Sequence, residues 1–241
     1  MLSVQNLVFT APTETGERTI INDVSMTVET DSFVVITGPN VGGKSTLAKL
    51  IAGIEKPKSG SIILDDLDIT RMSVTERAKA GVGFAFQQPV RFKGLTVKDL
   101  IELAAGKSLT YEGTCKYLSE VGLCAADYVG RELDASLSGG ELKRIEIAML
   151  LARSTRLSIF DEPEAGIDLW SFHNLINVFR KLREKTKGGI VIISHQERIL
   201  DIADKIIVIA EGKVKNVGSK EDILPSLLEE SETCDFYKKE A

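Results

Sequence analysis

The 241-residue chain has no excess of positive charge: 30 Lys and Arg stand against 35 Asp and Glu, a formal net charge of −5. It has no basic cluster either. Neither nucleic acid nor an anionic membrane surface is therefore expected as a direct ligand. Long apolar runs are also missing. The longest, such as Val34–Ile36 and Ile206–Ala210, are of strand length, well short of the roughly 18 residues that a membrane-spanning helix needs. No direct membrane insertion is expected. The opening MLSVQNL has no charged start and no long apolar stretch, so no signal peptide is expected there. Cysteine is scarce. Cys115, Cys124 and Cys234 are odd in number and widely spaced, which gives neither a disulfide framework nor a metal-ligand spacing. Reduced thiols in a cytoplasmic protein are the expectation. The only two histidines, His173 and His195, are too far apart in sequence to suggest a metal site by themselves. There are no repeats and no low-complexity segment. What remains is ordinary globular composition, 43% hydrophobic and 27% charged. The length suits one large domain, or one domain with a small inserted lobe. A chain of this size buries about 70–75% of its unfolded surface.

The most informative stretch is Phe33 to Leu47, FVVITGPNVGGKSTL. It reads as a buried strand over Phe33–Thr37, a glycine-rich loop, and a helix starting near Lys44. The spacing Gly38-x-x-x-x-Gly43-Lys44-Ser45 fits the phosphate-binding P-loop. Glycines let backbone N–H groups turn inward and approach phosphate oxygens with no Cβ in the way. The helix then points its N-terminus at the same anion. The expected nucleotide-binding residues are Gly38, Pro39, Asn40, Val41, Gly42, Gly43, Lys44, Ser45 and Thr46. Lys44 can reach the β- and γ-phosphates and Ser45 can place its hydroxyl on Mg²⁺. A plain glycine turn between strand and helix is the structural alternative.

Ahead of this stretch, Leu2–Phe9 reads as a strand, and Ala11–Thr19 as a polar loop broken by Pro12 and Gly16. Val24, Met26 and Val28 alternate with polar neighbours, the mark of a half-buried strand. Together they predict an antiparallel flank. Phe9 is either a core residue of its strand or a platform for a nucleotide base. Beyond the P-loop helix, strands are predicted at Ser61–Leu64 and Val82–Phe86, with a short helix over Thr75–Ala80. From Pro89 to about Leu137 the pattern changes. Thr96–Leu103 and Tyr111–Val121 are helical with no strand between them, so a helical lobe inserted in an α/β core is expected. A helix follows Leu137-Ser138-Gly139-Gly140-Glu141. Leu157–Phe160 is an apolar strand closing on Asp161-Glu162. A long amphipathic helix carries Leu169, Phe172, Leu175, Ile176, Phe179 and Leu182 and stops at Gly188-Gly189. Ile190–Ile193 is a strand ending in Ser194-His195, and Gln196–Ala203 a short helix. Two strands, Ile206–Ile209 and Lys213–Val217, flank Gly212. The tail from Glu221 is polar and ends in Lys238-Lys239-Glu240.

The order of these motifs resembles an ATP-binding-cassette (ABC) ATPase over nearly the whole chain. The P-loop is similar to its Walker A motif, Gln87 to the Q-loop glutamine, and Leu137-Ser138-Gly139-Gly140-Glu141 to the ABC signature. Leu157–Asp161 with Glu162 resembles Walker B and its following glutamate. Ala165-Gly166-Ile167-Asp168 resembles the D-loop, and His195 the switch histidine. The resemblance implies an α/β P-loop NTPase fold: a mixed central sheet, an antiparallel N-terminal β flank and an inserted helical subdomain. Residues 1–88 and 138–241 would form the core and 89–137 the helical subdomain of one ABC ATPase domain. It implies ATP and Mg²⁺ as cofactors, with Mg²⁺ held by Ser45, Gln87 and Asp161, and Glu162, Gln87 and His195 as catalytic residues. Glu162 would orient or deprotonate the attacking water and His195 would bond the γ-phosphate. The signature and Asp168 would act on ATP held by a second copy, in an ATP-dependent homodimer of two-fold symmetry.

Two segments narrow the resemblance. Ala85-Phe86-Gln87-Gln88-Pro89-Val90 and Ser194-His195-Gln196-Glu197-Arg198-Ile199-Leu200-Asp201 are similar to stretches of SufC, the ATPase of the SUF iron–sulfur cluster assembly system. Departures are Gln88 for the usual tyrosine, Val41 within the P-loop, Pro163-Glu164-Ala165-Gly166-Ile167-Asp168 in place of a D-loop with serine before glycine, and Arg91-Phe92-Lys93-Gly94-Leu95-Thr96, which lies between the SufC and transporter patterns. This resemblance implies a SufB- or SufD-like scaffold as partner, with the cluster carried elsewhere because the cysteines here lack ligand spacing. The ATPase subunit of an importer with separate membrane subunits is the alternative. A regulatory nucleotide-binding module with negligible turnover is another, against which the presence of Lys44 and Glu162 stands.

Overall fold

In a computed structural model the described residues are 1–14, 16–88, 90–134, 136–185 and 187–225. Pro89, Cys234 and the tail end Lys238-Lys239-Glu240 lie outside them.

Strands β1 (Leu2–Thr13) and β2 (Gly16–Val28) pair antiparallel. They run straight through the predicted loop at Ala11–Thr19. Pro12 pairs with Glu17 and Thr13 with Gly16, so the two breakers mark the closing end of a long hairpin. Pro12 can stay in a strand because only the edge of the sheet meets it there. Strand β3 (Phe33–Thr37) is buried throughout. Helix α1 (Lys44–Ala52) follows, then β4 (Ser59–Leu64) and β5 (Leu67–Asp68), which the sequence pattern did not predict. Helix α2 is Val74–Lys79 and β6 is Val82–Ala85.

The next four elements are helices: α3 (Val97–Ala105), α4 (Tyr111–Glu120), α5 (Ala125–Tyr128) and α6 (Gly139–Arg153). Thr96 caps α3 through a reciprocal bond with Asp99, and Thr110 caps α4. The end of the chain alternates again: β7 (Leu157–Asp161), α7 (Leu169–Lys185), β8 (Gly189–Ile193), α8 (Glu197–Leu200), β9 (Lys205–Ala210) and β10 (Lys213–Gly218). Helix α8 is shorter than the predicted 196–203.

The strands form two sheets. One is antiparallel, in the order β2-β1-β4-β5; the other runs β10-β9-β3-β8-β7-β6 and is parallel except for β10. Period-two alternation splits the larger sheet's side chains between two cores. Phe33, Val35, Phe160, Ile192 and Ile206 face α3, α4, α6 and α7. Val34, Ile36, Ile159, Val191 and Ile207 face α1 and the antiparallel sheet. Phe179 of α7 meets Phe160 and Phe33 edge-on, at ring separations of 5.2 and 6.3 Å. The amphipathic face of α7 is as predicted except at Leu169, which is exposed.

A buried cation closes the end of the P-loop helix. Arg77 of α2 is 1% exposed. Its guanidinium donates to the carbonyls of Leu50, Ile51, Thr70 and Met72. Two of these are among the last carbonyls of α1, which have no partner inside the helix. Replacing Arg77 by Met keeps the aliphatic stem and removes all four bonds. The expected loss is roughly 3 kcal/mol, since buried acceptors left unpaired cost about 1–3 kcal/mol each and only some can find water. Urea unfolding checks it as a lower midpoint at unchanged slope.

Candidate functional site

Register brings the site together. Ile193 lies beside both Ile36 and Asp161, and Ala85 beside Phe160. The carboxyl ends of β3, β8, β7 and β6 therefore share one edge, the place where open α/β sheets bind ligands. Just past those ends come Gly38, Ser194-His195, Glu162 and Gln87.

The loop after β3 is built for close approach. Gly38 has φ +128°, and a Cβ there would lie 2.1 Å from the Ile209 carbonyl oxygen, so only glycine fits. Gly42 donates to Pro39 O (3.2 Å) and accepts from Gly212 N (3.1 Å), which ties the loop to the β9–β10 turn. Gly43 caps α1 without a side chain, leaving the first N–H groups of the helix for a ligand. Lys44 is buried, and its ammonium donates to the Gly38 and Pro39 carbonyls, each at 2.8 Å. An ammonium has three donors, so the loop takes two of them. Burial pushes the Lys44 pKa down, while the Glu162 and Asp161 carboxylates oppose that shift. Asn40, Thr46, Phe9, Ile20 and Glu162 complete a cleft of about 450 Å³ around this loop. Phe9 packs against the core, as one of the two expectations had it, and also lines the cleft.

Asp161 ends β7 and is 4% exposed. Its Oδ1 accepts from the Ser45 hydroxyl at 2.8 Å. Burial raises its pKa, the Ser45 bond works against the rise, and the Glu162 charge adds to it. Among the described residues it has no ion pair. A buried carboxylate beside a hydroxyl, both hard oxygen donors, fits Mg²⁺, which takes one or two carboxylates and completes its shell with water and phosphate.

Glu162 follows in a left-handed conformation, φ +43°. Its N–H donates to Ile193 O at 3.0 Å, which fixes the turn off the strand. Its carboxylate accepts from Gln87 Nε2 at 2.6 Å and lies 3.9 Å from His195 Nε2. Burial first, then the Lys44 ammonium, lower the His195 pKa, with Glu162 opposing. The imidazole is thus neutral at neutral pH, with one nitrogen donating and one accepting. Lys44, Ser45, Asp161, Glu162, Gln87 and His195 therefore converge on one region.

The signature residues do not join them. Leu137 is buried, and Ser138 caps α6 reciprocally with Glu141. Glu141 also accepts from the Tyr128 hydroxyl and lies 3.9 Å from Arg131. A Cβ on Gly140 would fall 2.6 Å from Ser171 Cβ, so the start of α6 is pressed against the start of α7. Asp168 caps α7 by accepting from Trp170 N and Ser171 N, both at 3.0 Å. None of Leu137, Ser138, Gly139, Gly140 and Glu141 lines the cleft around the P-loop.

Three residues at the site were not assigned a role from the sequence. Lys143, 2% exposed, donates to Phe86 O and pairs with Glu146 at 3.2 Å, linking α6 to the segment that carries Gln87. Glu164 and Ser194 bond each other beside His195.

A family profile described as "ABC transporter" matches residues 21–165. An uncharacterized ABC transporter ATP-binding protein of Methanocaldococcus jannaschii is 38% identical over 233 residues, covering 93% of this chain and 89% of that protein. A sulfate/thiosulfate import ATP-binding protein, CysA, of Synechococcus elongatus is 36% identical across 86% of this chain. The chain spans 60% of that relative's length. A dimeric bacterial ABC transporter cassette superposes with a TM-score of 0.81 at 23% identity, covering 91% of this chain and 99% of that one.

Val41 gives a test of the loop's strain. It is 83% exposed, β-branched, and held at φ +66°. Left-handed geometry costs an ordinary residue about 1–2 kcal/mol, and the added chain entropy of glycine returns about 0.4–1 kcal/mol of that. Val41→Gly is expected to raise stability by roughly 0.5–1 kcal/mol, read from thermal unfolding without nucleotide.

Proposed function

From the premise that this chain belongs to the ABC transporter family of ATP-binding cassettes, we propose that two copies close head to tail around two ATP molecules and drive a partner protein by closing and reopening. The chain itself is an ATP-binding, ATP-hydrolysing cassette subunit. One observation carries the dimer reading. The signature segment presents glycines and a helix N-terminus, an anion-binding arrangement, yet it lines no part of its own chain's cleft. A second copy supplies the missing phosphate, and two-fold symmetry makes both sites complete at once.

Within each site the residues divide the work. The third donor of Lys44 and the N–H groups of Gly43 and the start of α1 bind the β- and γ-phosphates. Ser45 and Asp161 hold Mg²⁺, which when bound supplies charge neutralisation for phosphoryl transfer. Glu162 orients the attacking water and takes its proton. Gln87, bonded to Glu162 at 2.6 Å, reports the state of that carboxylate to the helical segment. His195 donates to the γ-phosphate from the end of β8. Asp168 and the signature serve the ATP bound by the other copy. Residues 89–137 form the docking lobe of one cassette domain.

The partner in this reading is a SufB/SufD-like scaffold on which iron–sulfur clusters form. Its support is the pair of segments at residues 85–90 and 194–201, which carry Gln87 and His195. A membrane permease of an importer is the second reading, and the likeness to the sulfate/thiosulfate import protein CysA favours it. Among the described residues no helix is long and apolar enough to cross a membrane, and in this second reading the membrane span is supplied outside them. Affinity purification of the tagged chain from its own cells decides between them: a soluble scaffold as main partner supports the first, a polytopic membrane protein the second.

Trp170 provides the readout for closure. It is the single tryptophan, 82% exposed, two residues past Asp168. Glu162→Gln is expected to lose about 100-fold or more in turnover, the scale of a missing general base. With Mg-ATP that variant should double its mass in light scattering and shift Trp170 emission to the blue. Lys44→Ala should bind ATP weakly and show neither change. A Glu162→Gln variant that binds Mg-ATP and stays monomeric would sink the dimer reading.

A further inference from the structure

We propose that Glu164 is a positioning residue for His195: it holds the turn at the end of β8 through Ser194, so that the loop following Glu162 sets where the histidine meets the terminal phosphate. The proposal rests on the role given above to His195.

The geometry is a short chain of bonds. Gln196 N–H donates to Ser194 Oγ at 3.0 Å, and the same hydroxyl donates to Glu164 Oε1. Ser194 is fully buried. A serine hydroxyl has one proton to give, and here it is given to Glu164 while the oxygen fixes the amide on the far side of His195. Residues 194 and 196 are thereby pinned, and His195 between them has one backbone course. The Ser194 N–H is tied as well, to Ile36 O of the P-loop strand at 3.2 Å. Glu164 itself is anchored by its carbonyl, which accepts from Ile167 N at 3.2 Å.

The second observation is what Glu164 gives up. Its Oε2 is buried with no hydrogen-bond partner among the described residues. Burial raises its pKa; the Ser194 bond opposes this and the nearby Glu162 charge adds to it. A buried carboxylate oxygen without a partner weakens a fold, and so does a second acid beside Glu162. A hydroxyl or an alanine at position 164 would avoid both penalties. A carboxylate buried at such cost is held for the bonds it makes, and these run to the turn that carries the histidine: the Ser194 hydroxyl and the backbone N–H of His195, which also holds its pKa down. Together these bonds place the imidazole, whose Nε2 lies 3.9 Å from Glu162, and displacement of such a group by about an ångström can cost up to roughly 100-fold in rate.

The test uses the whole chain and two readouts. The first needs no nucleotide. His173 and His195 are the only histidines, so their ring signals are separable by NMR, with His173→Gln giving the assignment. Glu164→Ala and Ser194→Ala are each expected to move the His195 signals and leave those of His173 in place. Glu164→Gln keeps an acceptor oxygen for Ser194 and should restore the His195 position. The second readout is steady-state turnover with Mg-ATP. Glu164→Ala should lower kcat about tenfold or more with KM for ATP within about twofold. The Glu164→Ala/Ser194→Ala pair should lose no more than Ser194→Ala alone, because that change already removes the bond to Glu164 along with the one from Gln196 N–H. In a His195→Ala background, Glu164→Ala should lose nothing further. Unmoved His195 signals in Glu164→Ala would overturn the proposal, and so would unchanged kcat or a full second loss without His195. A His195→Ala variant with wild-type turnover fails the reading of the histidine itself, and the NMR arm separates that failure from a failure of the Glu164 bond.

Discussion

A single hydrogen bond joins two stretches 116 residues apart: the hydroxyl of Ser45, at the start of the P-loop helix, donates to Asp161 at the end of β7 at 2.8 Å. The rest of the site depends on that meeting. It requires β3 and β7 to end at the same level, which the register through β8 enforces. It requires α1 to enter behind the loop rather than across it, which the glycine positions allow and the buried Arg77 secures from the helix's other end. Once Ser45 and Asp161 are side by side, Glu162 has only one direction in which to leave the sheet, and its N–H is taken by Ile193 O. The Glu162 carboxylate, the general base of the reading proposed above, is thus positioned by strand register.

That arrangement is held against local cost. Glu162 and Val41 both lie in left-handed backbone geometry, which neither side chain favours. Lys44 and Asp161 are buried with their charges only partly compensated. Such features persist where surrounding structure over-determines them. Here the two apolar cores on either face of the parallel sheet do so, since nearly every residue of β3, β7 and β8 is buried. A triphosphate with its metal ion would offset several of these costs together: negative charge for Lys44 and positive charge for Asp161. On the reading proposed above, part of the affinity for nucleotide is compensation of charge that the fold itself buries at Lys44 and Asp161.

The parts legible in the sequence were those whose chemistry is local. The P-loop spacing, the Asp161-Glu162 strand end and the helix start after Leu137-Ser138-Gly139-Gly140-Glu141 each declare themselves within a dozen residues. The alternation of strand and helix on both sides of residues 89–137 marked the α/β core, because periodicity reports which face is buried. What was not legible was decided by partners far off in the chain. Pro12 and Gly16 signalled a loop, yet pairing with a neighbour carried β1 and β2 past them to residue 13 and back from 16. Leu169 fits the apolar stripe of α7 by spacing and is nevertheless exposed, since the helix starts at the surface where the signature segment meets it. Glu164 carried no signal of its own in the sequence, since its partner Ser194 lies thirty residues further on.

The loop from Glu162 to Asp168 joins two contacts that otherwise have nothing in common. At its start, Glu162 and Glu164 face the site of the same chain through Gln87, His195 and Ser194. At its end, Gly166 and Ser171 lie against Gly139 and Gly140 of the signature segment, and Asp168 caps α7 beneath them. In the proposed dimer those glycines face the nucleotide of the other copy. A change at one ATP then needs to cross only this loop to reach the surface that reads the other. Its backbone is pinned by two internal bonds, Ala165 N to Glu162 O at 3.0 Å and Ile167 N to Glu164 O at 3.2 Å. In the dimer proposed above, that braced seven-residue connection is a direct covalent link between the carboxylates at one nucleotide and the surface that meets the other.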